Sequence, residues 1–223
     1  MRKIFAVLVM IFVCVVCIFS VDTYAAMSDS DFLRLCRSGT AQEVEAVIKE
    51  GANVNASDNW GSTALMEAAQ YNPNPEVISV LLENGADVSD RSNSMRVALM
   101  LAAMSNSNPE VIFVLLKNGA DVNARSVIGE TALMYAARSN RNPEVTSFLL
   151  KNGADVHARD SRRNTALQLA VQRRNPNPEV ISVLVENGAD VNVMATGIFS
   201  DNTALMIAAK EGYHHFYFVE KWR

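Results

Sequence analysis

One sentence is written four times in this chain. "NPNPEVISVLLENGADV", residues 72–88, returns as "NPNPEVISVLVENGADV" at 175–191. Between them stand "NSNPEVIFVLLKNGADV" at 106–122 and "NRNPEVTSFLLKNGADV" at 140–156. Gly-Ala recurs at Gly51, Gly85, Gly119, Gly153 and Gly188, at intervals of 34, 34, 34 and 35 residues. A second marker, "TALM" at Thr63, reappears as "VALM" at Val97, "TALM" at Thr131, "TALQ" at Thr165 and "TALM" at Thr203. Its steps are 34, 34, 34 and 38. Two independent landmarks on one beat specify a stacked array rather than a single closed core.

Each unit reads as two short helices and a turn. The first helix begins at the Thr, whose hydroxyl can accept from the exposed amides of the opening turn. It runs through Ala64, Leu65, Met66, Ala68 and Ala69 and stops at the Asn/Pro cluster. The second opens with Asn-Pro-Glu, at Asn74, Asn108, Asn142 and Asn177. There Asn caps, Pro supplies the pre-set first helical position, and Glu suits the positive end of the helix dipole. All six prolines fall in these connectors, four of them at that first position. Val77, Ile78, Val80, Leu81 and Leu82 leave the second helix no wet side, so neighbours must cover it. Asn84-Gly85 ends it, the glycine taking the left-handed conformation of a C-terminal cap. One such pair cannot bury its own apolar surface, and stacking equivalent pairs closes a continuous core. The fold class expected is all-α, a solenoid of stacked helix-turn-helix units.

The spacing, the T-x-L of the first helix, the "AA" within it, V-x-x-L-L in the second and "NGADVNAR" after it resemble ankyrin repeats. The resemblance runs from Ser28 to about Gly212 and implies an ankyrin-repeat solenoid with finger loops. A capping unit is expected over 26–56, where Thr40 and Glu43 have capping-box spacing. Repeats follow at 57–90, 91–124, 125–158 and 159–193, then a partial, atypical unit at 194–223. The family usually writes T-P-L-H, whereas here Ala replaces Pro, and Met66, Met100, Met134, Gln168 and Met206 replace His. Losing that His removes a side-chain-to-backbone bond that the family uses to tie its loops together. Val97 replaces the capping Thr, at a local cost of about 1 kcal/mol. A longer finger, 192–202, precedes the last unit, which ends in "YHHFYFVEKWR" instead of a second helix.

The first residues are a different material. Arg2 and Lys3 precede an apolar run from Ile4 to Phe19, then the small-residue stretch around Thr23 and Ala25. That is the plan of a secretory signal peptide over 1–25, cut after Ala25; an uncleaved membrane anchor facing away from the cytoplasm is the alternative. Export to the periplasm or secretion is therefore expected. Cys14 and Cys17 lie in that run, and Cys36 is expected to be buried.

The chemistry of the chain is sparse. Net charge is −4, which disfavours a nucleic-acid partner. Phosphate loop, nucleophile elbow, HExxH and spaced Cys/His cluster are all missing from the sequence. No catalytic residue, metal ligand or cofactor is expected, and His157 reads as a turn residue. His214 and His215, being adjacent, point apart. What remains is surface. The resemblance implies that partners meet the finger tips and first-helix positions facing the concave side. Carried over, these include Asn59, Trp60 and Glu67; Arg96 and Leu101; Val127, Ile128, Glu130 and Tyr135; Arg162 and Leu169; and Ile207. Near-identical copies disagree there, and Trp60, Leu101, Val127, Ile128, Tyr135, Leu169 and Ile207 suggest an exposed apolar patch. The expectation is a monomeric, exported, non-catalytic scaffold for a protein partner. The alternative is a secreted effector or inhibitor acting on a host or envelope enzyme.

Overall fold

The computed structural model describes residues 27–173 and 176–193, together with Ala204. The segment 1–25 expected to be a signal peptide, the finger beyond Val193, Ile207, His214, His215 and the aromatic tail lie outside the described residues. Among the described residues no helix is long and apolar enough to cross a membrane.

Among the described residues, ten helices alternate in two rows. The first row holds α1 (Asp29–Ser38), α3 (Ala64–Tyr71), α5 (Ala98–Ser105), α7 (Ala132–Ser139) and α9 (Ala166–Val171). The second row holds α2 (Ala41–Lys49), α4 (Pro75–Glu83), α6 (Pro109–Lys117), α8 (Pro143–Lys151) and α10 (Pro178–Glu186). Each first-row helix packs on the next of its row, each second-row helix likewise, and the two helices of a unit pack on each other. This is the all-α solenoid that the period requires. No strand is present among the described residues, only an isolated bridge between Ser57 and Thr63.

The helix ends follow the residues. Asn74, Asn108, Asn142 and Asn177 each accept the amide of the Glu two residues on, at 3.0 Å in every copy. Thr40 and Glu43 form the reciprocal capping box. Thr63 and Thr165 cap as expected, accepting from Met66 and Gln168, and Val97 supplies no side-chain cap. Thr131 corrects the expectation: it makes no cap bond, and its buried hydroxyl has no partner among the described residues. Gly85 follows α4 at φ +94°, the left-handed value that glycine adopts freely.

The core is the space between the rows. Val77, Ile78 and Leu81 of α4 are sealed, as are Val111, Ile112 and Leu115 of α6. At the equivalent of Ile78 and Ile112, α8 carries Thr146, fully buried, its hydroxyl without a partner among the described residues. Met66, Met100 and Met134 stand where the family pattern has His and are buried apolar filling. Gln168 instead restores a loop tie: its Oε1 accepts from Thr165 at 2.9 Å and its Nε2 donates to the Val193 carbonyl at 2.7 Å. Cys36 is buried, and desolvation, reinforced by Glu67, pushes its thiol up to about 12, so it is inert at neutral pH.

The connectors hold a device that the sequence reading passed over. Asn72, Asn106 and Asn140 are buried one unit apart. Asn72 donates to the Cys36 and Gly39 carbonyls at 3.1 and 2.9 Å. Asn106 donates to Ala69 and Asn72 at 3.0 and 2.8 Å, and Asn140 to Ala103 and Asn106 at the same distances. Each side-chain oxygen also accepts the amide two residues on, at 2.9 to 3.0 Å. Thus every rung pins the end of one first-row helix to the previous unit and presets the cap of the next. Beyond α9, shortened by the one-residue insertion, Arg173 reaches the Asn140 and Ser139 carbonyls at 3.0 and 3.4 Å. A guanidinium there meets a carbonyl that the asparagine of a regular unit would take.

Candidate functional site

Among the described residues, four fingers lead into the first-row helices with one hydrogen-bonding plan. Asp58, Ser92, Ser126 and Asp160 each donate their amide to the carbonyl four residues on, at 2.9 to 3.0 Å. The same four residues' carbonyls accept from Gly61, Met95, Gly129 and Arg163. Their side-chain oxygens tighten the turn from within: Asp58 accepts from Trp60 and Ser62, both at 2.8 Å, and Ser92 and Ser126 accept from Arg96 and Glu130 at 3.2 Å. The fourth tip position is left-handed throughout. Gly61 and Gly129 fill it without strain, but Met95 and Arg163 adopt it at φ 53° and 62°, a conformation that costs an L side chain roughly 1 kcal/mol.

Neighbouring fingers are tied main chain to main chain. Asn93 donates to the Trp60 carbonyl at 2.9 Å, Val127 to Ser94 at 3.0 Å, and Ser161 to Ile128 at 2.9 Å. Those bonds leave the side chains uncommitted. Trp60 is 76% exposed, Val127 64%, Ile128 48% and Met95 45%. Asn59 and Arg162 are also exposed, and Arg96 is half-buried.

The inner positions correct the expected patch. Leu101, Tyr135 and Leu169 are buried, as are Glu67 and Glu130. The cause is helix spacing: Ala64, Ala68 and Ala69 and their repeats let first-row helices approach closely enough to cover even the fourth helical residue. Leu101 and Leu169 therefore belong to the core, and the exposed apolar side chains gather mainly at the tips, with Tyr71 on α3 and Phe113 on α6 exposed elsewhere.

Two of these buried residues form clusters that the sequence did not announce. Glu130, 2% exposed, accepts from both guanidinium nitrogens of Arg138, Nη2 at 3.1 Å to Oε2 and Nη1 more closely to Oε1. The Arg138 guanidinium also lies 5.2 Å over the Tyr135 ring. Burial pushes the Tyr135 hydroxyl above its ordinary value, neighbouring Ser126 pulls it back, and Glu130 adds to the rise. One end of the stack repeats the idea, with Arg37 Nε 2.5 Å from Glu67 and its guanidinium 4.9 Å over Tyr71. The bond to Glu67 raises the Arg37 affinity for its proton further. Each buried carboxylate is neutralised by an arginine that also lies over an aromatic ring. These are structural locks. Among the described residues no three His, Cys, Asp or Glu side chains gather as metal ligands, and His157 sits in an exposed turn, its amide bonded to Asp155 at 2.8 Å.

The family model described as ankyrin repeats (3 copies) matches residues 32–92 and 99–195. Comparison with curated proteins finds no match. Ankyrin repeats generally mediate protein–protein interaction. With most of its length matched, this chain belongs to the ankyrin-repeat family.

Proposed function

We propose that this ankyrin-repeat chain is an exported, non-catalytic scaffold that holds a protein partner through its finger edge. The observation that carries the reading is the fate of its apolar side chains. Most large ones are buried in the stack or packed against it, yet Trp60 and Val127, the two most exposed, and Ile128 stand out on tips fixed by main-chain bonds. Exposed apolar groups on a rigid frame lose little freedom on binding, and Trp is a frequent interface anchor. The concave first-helix face contributes shape and the half-buried edge of Arg96 and Arg138 rather than apolar contact.

Export rests on the basic residues Arg2 and Lys3, the apolar run after them and the small residues before Ala26. Cell fractionation tests it: the reading expects a chain beginning near Ala26 in the periplasm or medium, and a full-length cytoplasmic chain contradicts it. For the binding face, the test is affinity capture with the parent and with a W60A/I128A variant. Loss of a partner from the variant, at unchanged helix content, supports the face. Capture of the same partners by both removes it.

A further inference from the structure

The finger edge carries a charge opposite to that of the chain. Overall the protein has net charge −4. The finger segments 57–62, 91–96, 125–130 and 159–164 nevertheless hold Arg91, Arg96, Arg125, Arg159, Arg162 and Arg163. Against these six stand three carboxylates, and all three are engaged. Asp58 caps its own turn at Trp60 and Ser62. Asp160 does the same at Arg162 and Asn164, at 2.9 and 2.8 Å, and also accepts the Asn164 side chain at 3.0 Å. Glu130 is taken by Arg138. The turns behind the fingers carry Asp87, Asp121 and Asp155, each accepting a backbone amide of its own turn, so the positive character belongs to the tips.

Part of this charge is set in file. Arg91 donates through Nη1 to the Arg125 carbonyl of the next finger at 3.0 Å and to Met95 at 3.3 Å. Arg125 donates in turn to the Arg159 carbonyl. Each bond anchors one guanidinium nitrogen and leaves the rest of the planar fork facing solvent, since Arg91 and Arg125 are exposed. An anchored fork loses less entropy on meeting a carboxylate than a mobile one. Between the arginines stand the apolar tips. Among the described tips only Trp60 is aromatic, and one ring does not make the row of stacking surfaces that single-stranded nucleic acid uses.

We propose that the finger edge selects an acidic protein segment. Its carboxylates would meet Arg91, Arg125, Arg162 and Arg163, and its apolar side chains would cover Trp60, Val127 and Ile128. This rests on the protein-binding reading and adds the partner's chemistry to it. Arginine pairs carboxylates in a two-pronged geometry, and a basic rank on an acidic protein steers the matching sign of partner while repelling the opposite one.

The test uses the purified protein and a fluorescein-labelled peptide of repeated Glu-Glu-Leu, with its Lys-Lys-Leu counterpart, oligo(dT) and phosphatidylglycerol vesicles alongside. Anisotropy should report binding of the acidic peptide alone, weakening about tenfold as salt rises from roughly 50 to 200 mM. R162E/R163E alters two exposed tips, and it should lose at least about tenfold in affinity with its circular dichroism unchanged. Equal binding of both peptides, indifference to R162E/R163E, or preference for oligo(dT) or vesicles overturns the proposal. The two readings fail separately. A captured natural partner that needs Trp60 and Ile128 but tolerates R162E/R163E leaves the binding face standing and removes the acidic partner. A partner indifferent to W60A/I128A removes the face itself.

Discussion

Along the connector edge, Asn72, Asn106 and Asn140 repeat the same side-chain bonds from unit to unit. Along the finger edge the equivalent tip positions hold Trp60, Ser94, Ile128 and Arg162, and the bond that recurs between each pair of described fingers is main chain to main chain. The two edges join the same units by different means. A rung made by a side chain needs a donor of the right reach in each copy, asparagine at three connectors and Arg173 at the next. A rung made of an amide hydrogen and a carbonyl is indifferent to the side chain. The first edge is therefore constrained in its side chains and the second is freer to vary, which is where a surface for recognition can be written without loss of the stack.

The sharpest break of this comparison is N106A. It removes two donated bonds and one accepted bond at a buried site. Leaving those groups unsatisfied should cost about 3 kcal/mol in urea unfolding; a loss below about 1 kcal/mol would mean that the connector rungs are not what holds the units together. Next comes R138M, which strands the Glu130 carboxylate in a nearly sealed site. Because Arg138 is itself more than a third exposed, water softens the loss, and about 2 kcal/mol is expected by the same measurement. In the opposite direction, T146V removes a buried hydroxyl that has no partner and should raise stability by about 1 kcal/mol. A destabilised T146V would show that the hydroxyl has found a bond after all. Smallest of all is W60A on the exposed tip, within about 0.5 kcal/mol of the parent. A large loss there would place Trp60 in the stack and erase the distinction between the edges.

What was legible in the sequence was local or periodic. The 34-residue beat is visible in two landmarks, and Asn74, Thr40 and Gly85 each act on a neighbour within four residues, so their caps and turns could be read directly. The rungs were harder. Asn72 and Asn106 stand in loops where polar residues are ordinary, and their partners lie in the unit before. The N-x-N-P-E spacing, with its first Asn recurring at Asn72, Asn106 and Asn140, was the available signal. Burial of Leu101, Tyr135 and Leu169 was misjudged because register alone places them on an inner face. How deep that face lies depends on helix separation, which the alanines of the neighbouring unit set. The hint was in α5, "ALMLAAMS", which has no polar side before its last residue. Glu130 meeting Arg138 joins a finger to the helix after it, and no short motif marks such a pair.

Native-state hydrogen exchange puts the two edges side by side in one sample. The amides of Asn108 and Asn142, held by buried asparagine oxygens, should exchange only when the whole stack unfolds. The amides of Val127 and Ser161, held by the finger carbonyls of half-buried Ser94 and exposed Ile128, should exchange earlier, through local opening that leaves the helices intact. Fingers protected as long as the connectors, or longer, would contradict the account.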